Sequence, residues 1–499
     1  MADYDLAIVG GGINGVGIAR DAAGRGLRVL LLEQHDLASG TSSASTKLIH
    51  GGLRYLEHGA FMLVREALAE RERLLKLAPH IVRPMRFVLP ASAELHSPLL
   101  LRLGLLLYDW LGRRDILPGS KSVDLTHHVA GHPLKRRYRS GFEYSDCWVD
   151  DARLVALNAV DAAERGATIR TRTRLARAER EDEWRLILNA QGRREVATAR
   201  VLINAAGPWV GIVAETVLRM PGRPPVRLVK GSHVVVPRLF DHDRGYIFQN
   251  PDKRIVFALP FAQDLGDRDS GGGFTLIGTT DREFEGDLDA VAPSADEVVY
   301  LCNSVSAYFR EPVGPHQVVW GFAGVRSLYD DGAGKPEDVT RDYHLTLDQQ
   351  SGAAPLLTVY GGKITTYRRL AEAALARLAH FFQGRPPWTA RAPLPGGDML
   401  WDGIETLVAR AQRTWPFLGE REARRLVGAY GTRLDRVLGA AKSRDELGPW
   451  FGVLSAAEVR HLMAHEWAQT ADDVLWRRTK LGLVLGKAEQ AALAEWMAR

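Results

Sequence analysis

The chain carries Gly10-Gly11-Gly12-Ile13-Asn14-Gly15 between two apolar runs, residues 5–9 and 28–32, and Glu33 closes the second run. No other feature restricts the fold as strongly. Glycines here permit a tight turn and let backbone approach a pyrophosphate. The helix they open turns its free amide N–H groups and positive dipole end on that phosphate. Glu33 stands 21 residues after Gly12, where a carboxylate, with Gln34 beside it, accepts hydrogen bonds from a ribose. Strand, turn, helix, strand and acid in register specify a dinucleotide site far more sharply than a bare glycine motif. No second fingerprint is present for a separate nicotinamide nucleotide, which favours a resident FAD; NAD with Glu33 on its ribose is the alternative. Gly10, Gly12, Asn14 and Gly15 are the first cofactor-binding candidates.

At 499 residues the chain is too long for one core. Apolar strands split by a helix predict a parallel sheet covered on both faces. The same style returns in the helix 151–165 and the strands 168–175, 183–188 and 199–205. From about 224 to 345 the strand candidates 226–237, 246–249, 255–260 and 274–279 predict an antiparallel sheet, an α+β insert in an α/β chain. A buried strand at 356–360 then runs into Gly361-Gly362-Lys363 and a helix to about 382. Prolines at 386–387, 393 and 395 mark a linker, and 400–499 shows helical spacing only. Two cysteines, Cys147 and Cys302, exclude a disulfide scaffold, and no metal site is expected. The first residues show no secretory signal, and no apolar run reaches the ~18 residues of a membrane-spanning helix. A net charge of +5 over this length does not point to nucleic acid.

The second chemical motif is Ser39-Gly40-Thr41-Ser42-Ser43-Ala44-Ser45-Thr46-Lys47-Leu48-Ile49-His50-Gly51-Gly52-Leu53-Arg54-Tyr55-Leu56-Glu57. Small hydroxyl residues, glycines and one lysine suit a second phosphate and a flavin edge lying against backbone. Thr41, Ser42, Ser45, Thr46, Lys47, Gly51 and Gly52 are therefore cofactor-binding candidates, and Arg54 presents a fork that fits a phosphate. Asn204-Ala205-Ala206-Gly207-Pro208-Trp209 ends an apolar strand in small residues, so Ala206 and Gly207 join the set.

Residues 9–26 and the run Gly361-Gly362-Lys363-Ile364-Thr365-Thr366-Tyr367-Arg368-Arg369-Leu370-Ala371 resemble the two signatures of the FAD-dependent sn-glycerol-3-phosphate dehydrogenases, most nearly the aerobic, respiratory kind. Residues 39–57 and 466–478 match as well, so the resemblance covers essentially the whole chain. It implies a Rossmann-like FAD-binding domain of glycine-oxidase type at 1–85, 146–223 and 346–385. A substrate domain at 86–145 and 224–345 and a helical C-terminal domain at 390–499 complete the implied chain. It further implies oxidation of sn-glycerol 3-phosphate to dihydroxyacetone phosphate, electrons passing through FAD to a membrane quinone, a homodimer, and monotopic attachment to the cytoplasmic face of the bacterial inner membrane.

Such a substrate is a small dianion with a secondary alcohol. It requires cations around the phosphate, a proton acceptor for the hydroxyl, and a hydride acceptor, which the cofactor supplies. Arg54, Arg326 and Lys363 sit in glycine-flanked loops and are the candidate cations, Lys363 also facing the cofactor with Gly362. His50, His233 and Tyr55 are alternative bases, since histidine titrates near working pH. Thr279 is placed to donate to a substrate oxygen. Three segments are candidates for contact with a membrane surface: 99–111, 365–382, and Arg477, Arg478 and Lys480 before an apolar run. An amine-oxidising flavoenzyme and a non-catalytic flavin scaffold are the competing readings.

Overall fold

The apolar N-terminal run forms strand β1 (Tyr4–Val9), and helix α1 (Ile13–Gly24) returns to β2 (Val29–Leu32). Small residues line α1, so it packs closely on the sheet and on a later helix. The computed structural model describes all residues except 1, 58, 92–97, 113–114, 221–225, 253, 264, 266–271, 331–341, 350–351 and 383–384.

From β2 the chain passes through β3 (Leu48–Ile49), α2 (Phe61–Leu77), β4 (Val82–Pro90), α3 (Pro98–Leu111), β5 (Lys121–Asp124), β6 (Ser140–Val149) and α4 (Asp151–Glu164). Asp150 caps α4 by accepting the Arg153 N–H. Then follow β7 (Thr168–Arg170), β8 (Thr173–Arg180), β9 (Trp184–Ala190), β10 (Arg193–Asn204), β11 (Val226–Pro237), β12 (Gly245–Gln249), β13 (Ile255–Phe261), β14 (Phe274–Gly278), β15 (Arg282–Glu283), β16 (Trp320–Tyr329), β17 (His344–Asp348) and β18 (Leu356–Tyr360).

Two sheets result. In the first, β10, β1, β2, β7 and β18 run parallel in the order β17-β18-β10-β1-β2-β7, with β17 antiparallel at the edge and β8–β9 as an antiparallel wing. The second runs β15-β11-β14-β13-β12-β4-β6-β3, with β16 on β11 and β5 on β6, and is antiparallel except where β12 meets β4. The fold is the α/β architecture with an antiparallel-sheet insert. Strands β4 and β6, absent from the sequence reading, complete the second sheet. Neither is a plain apolar run, and the two pair with each other across more than 50 residues.

Helices Ile404–Thr414, Glu420–Tyr430, Ala456–His465 and Lys487–Met497 build a C-terminal body around its own apolar core. It is helical apart from a hairpin, Trp450–Phe451 against Leu454–Ser455, which the sequence reading lacked. Ion pairs dock this body on α4: Arg153 with Glu466, and Glu164 with Arg433 and Arg436.

The three candidate membrane segments separate clearly. In α3, Leu99 (69% exposed), Leu100, Leu103 and Trp110 (80%) face outward, beside Phe61 and Met62 of α2. The helix Tyr367–Arg377 instead buries Tyr367, Leu370, Ala371 and Ala374 in the core with α1, and Arg368 is buried against Glu70 and Glu372. Arg478 and Lys480 are buried and Arg477 is mostly covered; all three form ion pairs. In the last two segments the apolar helix face and the cations Arg478 and Lys480 thus lie in the interior, although Arg369 and Arg377 stay exposed. No helix among the described residues is long and apolar enough to cross a membrane.

Candidate active site

A single elongated cavity of about 400 Å³ runs from the β1–α1 turn to the near edge of the second sheet. Gly10, Gly12 and Asn14 form one wall. Gly10 has φ of 115°, and a Cβ there would lie 2.5 Å from the Ala205 carbonyl oxygen, so only glycine fits. The N-cap residue Gly12 offers no capping side chain and no acid stands in the first turn of α1, so its positive end faces the cavity. The Glu33 carboxylate accepts N–H bonds from Gly11 (2.7 Å) and His35 (2.8 Å), and burial raises its pKa. Ser42 Oγ accepts the Ile13 N–H at 3.0 Å. Gln34, Thr41, Ser45, Thr46, Ala206, Gly207 and Gly362 also line the cavity. Asn14 donates to the Gly361 carbonyl at 3.0 Å, while its Oδ1 is buried with no hydrogen-bond partner. A bare helix end, a buried carboxylate and an orphaned amide oxygen along one cleft suit a dinucleotide with a pyrophosphate and a ribose.

Four proposed cofactor contacts lie off this wall. A Cβ on Gly15 would fall 1.9 Å from the Gly10 carbonyl, so Gly15 serves the packing of α1 on the turn. The Lys47 ammonium is fully buried, 2.9 Å from both Asp151 oxygens and from the Ser43 carbonyl, and faces α4 instead of a phosphate. Gly51 donates its N–H to the Tyr108 hydroxyl at 2.8 Å, and Gly52 opens the short turn Leu53–Leu56 with a left-handed φ of 75°.

His50, Tyr55, Thr279, Arg326 and Lys363 line the same cavity. Lys363 Nζ lies 3.8 Å from the centroid of the Tyr55 ring, and the Arg326 guanidinium pairs with Asp281. Gly231 lines the cavity beside Arg326 and Thr279. A Cβ there would come within 2.7 Å of both Arg326 Nη2 and Thr279 Oγ1. Burial, with the charges of Lys363 and Arg71, pushes His50 down to about 4, so its ring is neutral. His233 is buried behind Thr46, with Nε2 3.0 Å from Thr46 Oγ1 and its ring stacked on Phe322 at 5.0 Å. Burial holds it well below the ordinary histidine value. Neither His233 nor Arg54, half-buried in the turn Leu53–Leu56, reaches the cavity wall.

Sequence reasoning missed Asp151, the anchor of Lys47, and Tyr108, which supports Gly51 and hydrogen-bonds Asp146 at 2.9 Å. Asp146 itself pairs with Arg71, and burial pushes it up to about 6. Tyr108 stands in a leucine-rich helix 57 residues after Gly51, and nothing local marks it. Gly231 was open to notice, since it interrupts an otherwise β-branched run.

A family model described as FAD dependent oxidoreductase matches residues 5–368, and one described as the C-terminal domain of alpha-glycerophosphate oxidase matches 387–499. The glycerol-3-phosphate dehydrogenase of Pseudomonas aeruginosa is 51% identical over 99% of this chain and 95% of its own length. The aerobic glycerol-3-phosphate dehydrogenase of Escherichia coli is 47% identical over 100% and 98%. The chain belongs to the FAD-dependent glycerol-3-phosphate dehydrogenase family. A family relative of different name, the D-erythritol 1-phosphate dehydrogenase of Brucella abortus, is 50% identical over 99% and 97%. The solved glycerol-3-phosphate dehydrogenase of Bacillus halodurans, complexed with FAD, superposes with a TM-score of 0.78 at 26% identity, covering 99% of this chain and 90% of its own. Glycine oxidase of Geobacillus kaustophilus shares the fold alone, with a TM-score of 0.56 at 20% identity over 79% of this chain and 99% of its own. FAD is the cofactor of this dehydrogenase family member, and Gly10, Gly12, Asn14, Glu33 and Ser42 line the cavity that could take it.

Proposed function

We propose that this enzyme oxidises the secondary alcohol of sn-glycerol 3-phosphate to dihydroxyacetone phosphate. The observation that carries the reading is that two cations, Arg326 and Lys363, and a neutral histidine, His50, line the same cavity as the dinucleotide turn. Arg326 exchanges the Asp281 carboxylate for the substrate phosphate, and Lys363 supplies the second positive charge. His50, unprotonated at working pH, takes the hydroxyl proton, with Tyr55 and Thr279 orienting the alcohol oxygen. Bound FAD supplies the hydride acceptor.

Anaerobic addition of glycerol 3-phosphate should bleach the flavin absorbance, while glycerol leaves it unchanged. An unbleached flavin on adding the phosphate ester would remove this function. The similarity to the erythritol 1-phosphate enzyme favours a second reading, a longer polyol phosphate as substrate. The two are separated by comparing kcat/KM for both esters; a higher value for the four-carbon ester would select the second.

On the first reading the electrons leave to a membrane quinone at the cytoplasmic face of the bacterial inner membrane, and the enzyme works as a homodimer, as the family resemblance implies. The outward apolar face of α3 supports the membrane contact. Leu103→Asp should release the protein from vesicles of mixed zwitterionic and anionic lipid without altering flavin bleaching. Unchanged pelleting of this variant would count against α3 as the contact. A sedimentation mass of one chain would exclude the dimer.

A further inference from the structure

The loop after β2 borders the cofactor: Glu33, Gln34, His35, Ala38, Ser39 and Gly40 all line the FAD cavity. In its middle Asp36 is only 1% exposed, and the Arg172 guanidinium of its own domain lies 3.7 Å from Oδ1. Its side-chain hydrogen bonds come from the C-terminal body. Arg478 donates Nη1 to Oδ2 and Nη2 to Oδ1, both at 2.8 Å, and Arg477 Nε donates to Oδ2 at 2.6 Å. Arg478 is itself fixed by the Glu466 carbonyl at 2.6 Å. The same ion network reaches the other side of the loop. Arg477 pairs with Asp473, and Asp473 accepts Arg172 Nη2 at 2.7 and 2.8 Å. The backbone N–H of Arg172 donates to the His35 carbonyl, and that of Thr173 to the Glu33 carbonyl, each at 2.8 Å.

We propose that Arg478 and Arg477 are positioning residues for FAD, the C-terminal body acting through Asp36 to fix the loop that presents Glu33 to the cofactor's ribose. A forked guanidinium on a buried carboxylate defines orientation as well as attraction. Once either member of the fork is removed, the other is a buried charge short of its main counter-ion, and the loop loses its fixed orientation. Simple docking of the two bodies does not require this placement. A separate bridge, Glu164 with Arg433 at 2.6 and 2.8 Å and Arg436 at 2.7 Å, joins them far from the loop.

That second bridge provides the control. The experiment titrates the apo forms of the full chain with FAD by flavin fluorescence and follows deuterium exchange of the amides at 34–40 in the apo state. Asp36→Asn should raise the FAD dissociation constant at least tenfold and speed exchange at 34–40, with kcat at saturating FAD within twofold of the parent. Glu164→Gln, which loosens the same interface elsewhere, should bind FAD within twofold. Arg477→Gln leaves the Arg478 fork intact and so keeps the chain folded even if Asp36→Asn does not; it should weaken FAD severalfold. The proposal is overturned if Asp36→Asn or Arg477→Gln binds FAD like the parent, or if Glu164→Gln weakens FAD as much as they do.

Discussion

Removing the Asp151 carboxylate tests the assignment of Lys47 as an internal anchor. Asp151 is fully buried and accepts five hydrogen bonds from four donors: Lys47 Nζ at 2.9 Å on each oxygen, Ser45 Oγ at 2.8 Å, the Ser45 N–H at 3.2 Å and the Ala152 N–H at 2.9 Å. Asp151→Asn keeps the shape but removes the charge and turns an amide NH₂ toward donors on one side. Breaking one partner of a buried ion pair costs roughly 3–5 kcal/mol. At about 2–4 °C per kcal/mol for a domain of this size, the thermal midpoint should fall by roughly 6–20 °C. The assay is scanning calorimetry of the apo and FAD-loaded forms. Lys47→Met combined with Asp151→Leu removes both charges and should lose much less than Asp151→Asn alone. A midpoint within 2 °C of the parent for Asp151→Asn would refute the reasoning. So would a Lys47→Met protein of full apo stability that has lost FAD affinity, since that is the behaviour of a phosphate ligand.

Three further outcomes are expected. His50 is depressed to about 4, so its proton-accepting form is present above that pH and disappears as pH falls through it; kcat at saturating substrate, which is free of the substrate phosphate's own titration at about pH 6, should stay level from pH 8 to about 5 and drop with a limb near 4. A limb in kcat near 6.5 that survives in His50→Ala would place the base elsewhere. Gly231→Ala forces a methyl against Arg326 and Thr279, and should raise KM for glycerol 3-phosphate at least tenfold, about 1.4 kcal/mol, with little change in thermal midpoint; an unchanged KM would show that this part of the cavity does not hold the phosphate. Tyr108→Phe strands the buried Gly51 N–H at a cost of about 1–3 kcal/mol, and circular dichroism melts should register it, whereas an unaltered melt would mean that the amide finds another acceptor.

What the sequence disclosed divides along physical lines. The Gly10–Gly15 turn and Glu33 were legible because backbone conformation and close approach restrict residue type directly, and the strands β1, β2 and β18 because burial leaves a nearly unbroken apolar record. Charged residues were another matter. Lys47 read as a phosphate ligand and Arg477 and Arg478 as a membrane-facing group, since a lone cation in a sequence carries no trace of its counter-ion. Asp151 lies 104 residues from Lys47 and Asp36 lies 442 from Arg478, and only the fold brings each pair together. The histidines divide likewise: His50 and His233 are equivalent on paper, and only burial behind Thr46 sets His233 apart from the cavity.

The 442-residue span between Asp36 and Arg478 also bears on the order of events during synthesis. The β1–α1 turn and Glu33 leave the ribosome first, and the parallel sheet around them is not complete until β18 has emerged. Even then the carboxylate in the loop at 33–40 has the Arg172 guanidinium at 3.7 Å but not its forked partner. It acquires the Arg477 and Arg478 hydrogen bonds only when the helical body has been made and has folded back over the nucleotide-binding half. On the proposal that these two arginines position the cofactor, loading is coupled to completion of the chain: a nascent polypeptide halted within the helical body would present an open, hydrated ribose loop that proteases can reach.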